Sequence, residues 1–256
     1  MERPKYLEYR HRRDQIVRYD ITREITVTLE KPAAALLRLV GKKMKAKRDS
    51  YSEFWEMELR VSDVRPDWSG LVKSQVTNAQ RFVGGEETGY TGLPDPTTEF
   101  LNETVDRYGK LTELAGTLPT PHLVLFPEDP MTTGQEWTSS RREILPLCGP
   151  DGTISGYEPM EVTYRGRVDA FGDDGTEFAD LAISGSGARG SEDSVRQQYE
   201  VIGNVRFAIR DGHILSAKVT RQMKSFFDVY VVTSEATEEY KHASEETEKS
   251  VGGMRL

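Results

Sequence analysis

Four histidines and a single cysteine are the side chains of this sequence best suited to nucleophilic or general-base chemistry. They are His11, His122, His213, His242 and Cys148, and they are scattered along the chain. No histidine sits in a helical metal motif such as His-Glu-x-x-His. Cys148 opens a Gly149-Pro150-Asp151-Gly152 turn with no histidine close to it in sequence. One cysteine excludes a disulfide framework and a thiolate zinc cage. Asp169, Asp173, Asp174, Glu177 and Asp180 would offer hard oxygen ligands to calcium. Their spacing is not that of a calcium loop, however, and Asp-Asp-Gly is ordinary turn chemistry. Neither a metal nor another cofactor is expected, and no residue set points to catalysis.

The sharpest motif is Gly185-Ser186-Gly187-Ala188-Arg189-Gly190, which matches the dinucleotide pattern G-x-G-x-x-G. Glycines at that spacing let a pyrophosphate approach the N-terminus of a helix. Phe178–Ser184 precedes the motif, and Asp211 lies 21 residues beyond its last glycine. The reading requires a parallel strand over 178–184, since a parallel unit needs a crossover connection. Against it, Asp180 interrupts that strand, and Asp211-Gly212 reads as a two-residue hairpin turn. The alternative is a glycine-rich stretch between antiparallel strands.

Arg38, Lys42, Lys43, Lys45, Lys47 and Arg48 form a basic run with no acidic residue between Glu30 and Asp49. As a helix from Pro32, the run would place Leu36, Val40 and Met44 on one face, suited to anionic lipid or an acidic partner. As a hairpin through Gly41, it would guard a sheet edge with solvated lysines.

The elements that would position these groups are strands. Val17, Tyr19, Ile21, Ile25, Val27 and Leu29 alternate with charged residues and threonines, which predicts a strand with one dry face over 17–29. Trp55, Met57, Leu59 and Val61 repeat the pattern, as do Met160, Val162 and Tyr164. Further extended runs are expected over 71–83, 137–147, 177–184, 205–209, 214–219 and 226–233. Hairpins are expected at Asp106–Gly109 and Asp211–Gly212, and Arg65–Gly70 reads as a turn. Leu118 to Pro130 carries four prolines and reads as a connector or edge.

The turn glycines Gly70 and Gly175 lie 105 residues apart, as do the turn aspartates Asp106 and Asp211. This predicts a mainly β fold of two similar antiparallel curved sheets, a duplicated half-barrel with few helices. The first half is 1–117, the second 118–234, and 235–256 is a polar, flexible tail by composition.

Several motifs together resemble a family. Phe126-Pro127-Glu128-Asp129-Pro130-Met131-Thr132-Thr133-Gly134-Gln135-Glu136-Trp137 is similar to the Leu-Pro-x-x-Pro-Val-x-x-Gly-x-x-Trp signature of uncharacterised bacterial proteins, often lipoproteins or secreted. Other segments agree in the same order. They are Tyr9-Arg10, Val61 to Asp67, Asp106-Arg107-Tyr108-Gly109-Lys110, and Phe207 to Ser216. The resemblance implies a duplicated antiparallel half-barrel, similar in outline to bacterial lipoprotein carriers, and no assigned activity.

The net charge of −8 lies in the second half, because residues 1–128 hold 20 basic and 20 acidic side chains. That balance argues against a nucleic-acid binder, whose affinity comes from neutralising phosphates. No apolar run is long enough for a transmembrane helix. The first residues contain no signal peptide, so the chain as written is expected in the cytoplasm, and in the cell envelope if translation starts upstream. The expected function is non-catalytic: a binding or assembly protein using a curved sheet. Its concave face would carry Trp55, Met57, Leu59, Val61, Met160, Val162 and Tyr164 and take an apolar, lipid-like ligand or a protein partner. A self-associating module, a homo-oligomer, is the alternative, and nucleotide binding through Gly185–Gly190 is the second.

Overall fold

The period-two runs become long strands. The computed structural model describes residues 3–30, 47–90, 95–116, 118, 120–148, 154–191, 194–227 and 230–247. Six strands lie in the first half of the chain: β1 (Gln15–Glu30), β2 (Lys47–Val64), β3 (Gly70–Val83), the short β4 (Glu86–Thr88), β5 (Phe100–Val105) and β6 (Leu111–Gly116). Six follow: β7 (Glu136–Cys148), β8 (Ile154–Asp173), β9 (Glu177–Ser191), β10 (Ser194–Ala208), β11 (His213–Phe227) and β12 (Tyr230–Thr247). The fold is mainly antiparallel β.

All strands belong to one sheet, nearly closed and barrel-like, in the order β6-β5-β3-β2-β1-β12-β11-β10-β9-β8-β7, with β4 beside β3. This differs from the expectation of two sheets. The first and last strands pair along the whole of β1, from Gln15↔Thr247 to Glu30↔Val231, and fuse the two halves. Strand β12 also corrects the expected tail over its residues 235–247, because it pairs with β11 on its other side. The run 226–233, expected as a final strand, spans a reversal, since Phe227 pairs with Tyr230. Residues 248–256 lie outside the described residues.

Strands β6 and β7 are consecutive in sequence yet form the two ends of the sheet. The segment joining them does more than connect. Leu118, Thr120, His122, Leu123, Val124, Leu125 and Phe126 are all buried in one core with the inward faces of the strands. Proline is tolerated there because the segment lies outside the ladder and needs no strand hydrogen bonds. Two side chains of β7 hold it: Trp137 Nε1 donates to Leu125 O at 2.5 Å, and Arg141 Nη1 donates to His122 O at 2.5 Å. The Trp137 ring lies against Gly166 of β8, where any side chain would overlap it.

The turns after β2, β5, β8 and β10 all lie at one end of the sheet, as the pairings Gly70↔Val105, Asp173↔Glu177 and Ala208↔His213 require. The N-terminal strap crosses this end. Lys5 bridges to Met131, Tyr9 N–H donates to Arg107 O at 2.7 Å, and Arg10 N–H donates to Gly212 O at 3.2 Å. Gly109 and Gly212 adopt positive φ in their turns, and a Cβ on either would collide with the strap. Alternation continues in the strap: Leu7 and Tyr9 are buried, while Arg10 and Arg12 are exposed.

Candidate functional site

The seven residues expected on a ligand-binding concave face all point inward. Trp55, Met57, Leu59, Val61, Met160, Val162 and Tyr164 are between 0% and 6% exposed and belong to a single core cluster. Much of the cover over that cluster is the chain's own, supplied by residues 118–126 and by Leu7 and Tyr9 of the strap.

Across the middle of the inward face runs a row of buried charges. Arg23 of β1 donates to Glu53 of β2 (2.9 Å) and to Glu238 of β12 (3.1 Å). Arg221 of β11 donates to the other oxygen of Glu238 (3.1 Å) and to Tyr199 OH (2.9 Å), while Tyr240 OH also donates to Glu238 (2.9 Å). On β7, Arg141 binds Glu143, which also accepts from Tyr164 OH at 2.5 Å. Burial alone would raise the Glu238 carboxyl; Arg221 and Arg23 overcome it and hold it below its ordinary value. Burial prevails at Glu53, which is raised despite Arg23 and Arg81. These groups satisfy one another, and the row ties β2, β1, β12, β11 and β10 together.

Below this row the histidines, distant in sequence, converge. His11, His122 and His213 line one cavity of about 30 Å³, room for a water, together with Tyr9, Gln15 and Val17. The His213 and His242 rings are 4.4 Å apart, and the His11 and His122 rings 5.7 Å apart. His122 Nδ1 is 2.5 Å from Glu103 Oε1, and Thr120 donates to the other Glu103 oxygen at 2.8 Å. Burial first, and His122 second, push His11 down to about 3, against a hydrogen bond with the Asp106 backbone. Its Nε2 is buried and has no hydrogen-bond partner among the described residues. Each histidine lies in a different segment, so only the pairing of the first and last strands and the buried connector brings them together. Among the described residues no group of three or more His, Cys, Asp or Glu side chains is placed to hold a metal ion.

An open cleft of about 350 Å³ lies at the turn end, lined by Glu8, Tyr9, Arg10, His11, Arg12, Trp68 and Arg107. Trp68 is 67% exposed and holds a left-handed conformation, φ 68°. Its turn is fixed locally: Arg65 N–H donates to Ser69 O (2.9 Å), and Asp67 accepts from the Ser69 backbone (3.0 Å) and hydroxyl (2.6 Å). A bulky residue at positive φ on a rigid turn is strained, and such strain concentrates at functional positions. The turn itself was legible in sequence; the exposed ring and the arginines around it were not. A second, polar cleft of about 450 Å³ shares Arg12 and adds Asp173, Glu177, Arg210 and Asp211.

No family model and no curated protein matches this chain.

Strand β9 overturns the nucleotide reading of Gly185–Gly190. It pairs antiparallel with both β8 and β10, and the segment after it is strand β10. Gly185 and Gly187 serve packing, leaving room for Tyr164, Val201 and Met160. The acidic cluster is occupied by bases and turn hydrogen bonds: Arg167 on Asp169 (2.7 Å), Arg206 on Asp180 (2.8 Å), Lys5 on Glu177 (2.6 Å), and Asp173 accepting from Gly175 N–H. Lys47 and Arg48 open β2, while Arg38, Lys42, Lys43 and Lys45 lie outside the described residues. No helix among the described residues is long and apolar enough to cross a membrane.

Proposed function

We propose that this chain is a non-catalytic small-molecule-binding protein whose ligand site is the turn-end cleft beside Trp68. The observation that carries this reading is the contrast between the two faces. The inward face is packed with the chain's own side chains, whereas the turn end offers an open cleft with an exposed tryptophan at positive φ. Small-molecule sites are concave, largely preformed and built around a few polar groups, and this cleft has those properties. Sequence segments that resemble the bacterial family also meet here: Tyr9 N–H donates to Arg107 O at 2.7 Å and Arg10 N–H to Gly212 O at 3.2 Å. In this reading the long strands are a rigid frame, and the buried connector takes the place that a lipid-like ligand would need.

A fragment library screened by saturation-transfer NMR tests the proposal, using the wild-type protein and Trp68→Ala side by side. Binding fragments are expected to lose their signal with Trp68→Ala. Fragments that bind the variant as well as the wild type, or a lipid retained through purification regardless of Trp68, would overturn it.

One observation favours a second reading, self-association. The 13-residue strand β7 pairs only with β8, so its outer backbone edge has no strand partner among the described residues. Sedimentation velocity that finds only monomer at high concentration removes that reading.

A further inference from the structure

The charge pattern of the cleft identifies the class of its ligand, given the reading of the cleft as the binding site. Arg10 and Arg107 come from separate segments, the strap and the turn after β5, and their side chains are 47% and 46% exposed. Between them lies a single carboxylate, Glu8. Its Oε1 is 3.7 Å from Arg10 Nη2, and its Oε2 is 3.8 Å from Arg107 Nη1. Those distances exceed a charge-assisted hydrogen bond, for which roughly 2.8 Å is usual, so neither guanidinium fork is engaged by Glu8 at close range. Arg12 stands on the wall shared with the polar cleft. The cleft lining thus carries three guanidinium groups and one carboxylate, in a chain whose net charge is −8. His11 at the floor is neutral at physiological pH, because its burial pushes it down to about 3. Trp68 also lines the cleft, 67% exposed, and its ring makes no ring-stacking or cation–π contact among the described residues.

We propose that the cleft binds a compact anion carried on a planar ring, a carboxylate or phosphate held by Arg10 and Arg107 with the ring stacked on Trp68, and that Glu8 holds the anion's seat in the unliganded protein. A fork from each arginine matches the paired oxygens of such a group. A flat ring finds its partner surface in the indole. On binding, the Glu8 carboxylate yields its place between the two guanidinium groups to the ligand's anionic group, and no bond is made or broken.

The test is a titration of the whole chain, followed by tryptophan fluorescence and calorimetry, with five probes: phenyl phosphate, benzoate, inorganic phosphate, benzyl alcohol and benzylammonium. Phenyl phosphate and benzoate are expected to bind, and their ratio distinguishes the two anion classes. Inorganic phosphate should bind more weakly without the ring, and benzylammonium not at all. Arg107→Gln or Arg10→Gln should weaken phenyl phosphate by roughly tenfold or more, the loss of a charge-assisted contact. Glu8→Gln should tighten it several-fold by removing the internal competitor. The opposite directions matter, since a folding defect would weaken binding in all three variants. Weaker or unchanged binding in Glu8→Gln overturns the proposal. If benzyl alcohol and benzylammonium bind as well as phenyl phosphate and depend on Trp68, the cleft remains the site and its anion specificity falls. If no probe perturbs Trp68 while fragments bind elsewhere, both readings fall.

Discussion

Replacing Glu238 by Gln removes one negative charge from the centre of the buried row and leaves the shape of the side chain intact. Glu238 is 1% exposed and accepts from Arg23, Arg221 and Tyr240. A glutamine offers one acceptor oxygen, and its amide group then meets the donors of the second guanidinium. Arg23 keeps the carboxylate of Glu53, whereas Arg221 keeps only the neutral Tyr199 hydroxyl as a hydrogen-bond partner and loses its paired carboxylate. Removing one partner from a buried ionic network costs about 3–5 kcal/mol. For a chain of this size each kcal/mol shifts Tm by about 2–4 °C, giving a fall of roughly 6–20 °C. The internal control is the next residue. Glu239 faces outward, with its side chain 46% exposed, and pairs with Lys218 at 2.6 Å. Exposed pairs contribute little, so Glu239→Gln should leave Tm within error of the wild type. The assay is thermal and urea unfolding followed by circular dichroism at neutral pH. If the two variants behave alike, the inward placement of Glu238 is wrong, and with it the central position of β12.

Three further perturbations follow from the same geometry. His11 is pushed down to about 3 in the folded chain, so between its unfolded value near 6.5 and about 3 only the unfolded chain takes up this proton. Stability should therefore fall with pH in that window by up to about 1.4 kcal/mol per pH unit from this residue, with no contribution above it. Urea midpoints at pH 7 and 5 should converge in His11→Asn, and an unchanged pH slope in that variant would contradict the assignment. Trp68→Gly relieves a left-handed conformation and should raise stability by about 1 kcal/mol while abolishing ligand response, so destabilisation would refute the strain argument. Gly166→Ala places a methyl against the Trp137 ring and should cost about 1–3 kcal/mol, with a red shift in tryptophan emission as the indole leaves its seat.

How much of this was legible in the sequence depends on whether the signal is local. The alternation of Val17 to Leu29 and of Trp55 to Val61 marks real strands, because each dry face repeats every second residue. The hairpins at Asp106–Gly109 and Asp211–Gly212 are equally local, but the second closes a four-residue turn over 209–212, between Ala208 and His213, in place of the expected two-residue one, and of its Asp-Gly pair only Gly212 takes positive φ. The pairing of β1 with β12 has no local signature, since it joins segments separated by most of the chain. Strand β12 was obscured further by its composition: its inward positions include Glu238, which is stable there only because Arg23 and Arg221 reach it from neighbouring strands. The proline-rich segment read as a connector or edge, because proline signals exclusion from a ladder and is silent on burial inside a curved sheet. The glycines of β9 matched a nucleotide motif while serving to admit aromatic and aliphatic side chains. At the cleft the turn was readable, but the meeting of Arg10, Arg107 and Trp68 depends on how the strap crosses that end of the sheet.

The chain's three tryptophans report on three separate places. Trp55 lies on the inward face, Trp137 holds the connector, and Trp68 borders the cleft, with exposures of 6%, 8% and 67%. Labelling the protein with 5-fluorotryptophan and following the three fluorine resonances during titration with phenyl phosphate or a fragment hit distinguishes these places in one experiment. The account predicts that the Trp68 resonance moves while those of Trp55 and Trp137 stay fixed. Movement of the Trp55 resonance with Trp68 unchanged would place the ligand on the inward face and contradict it.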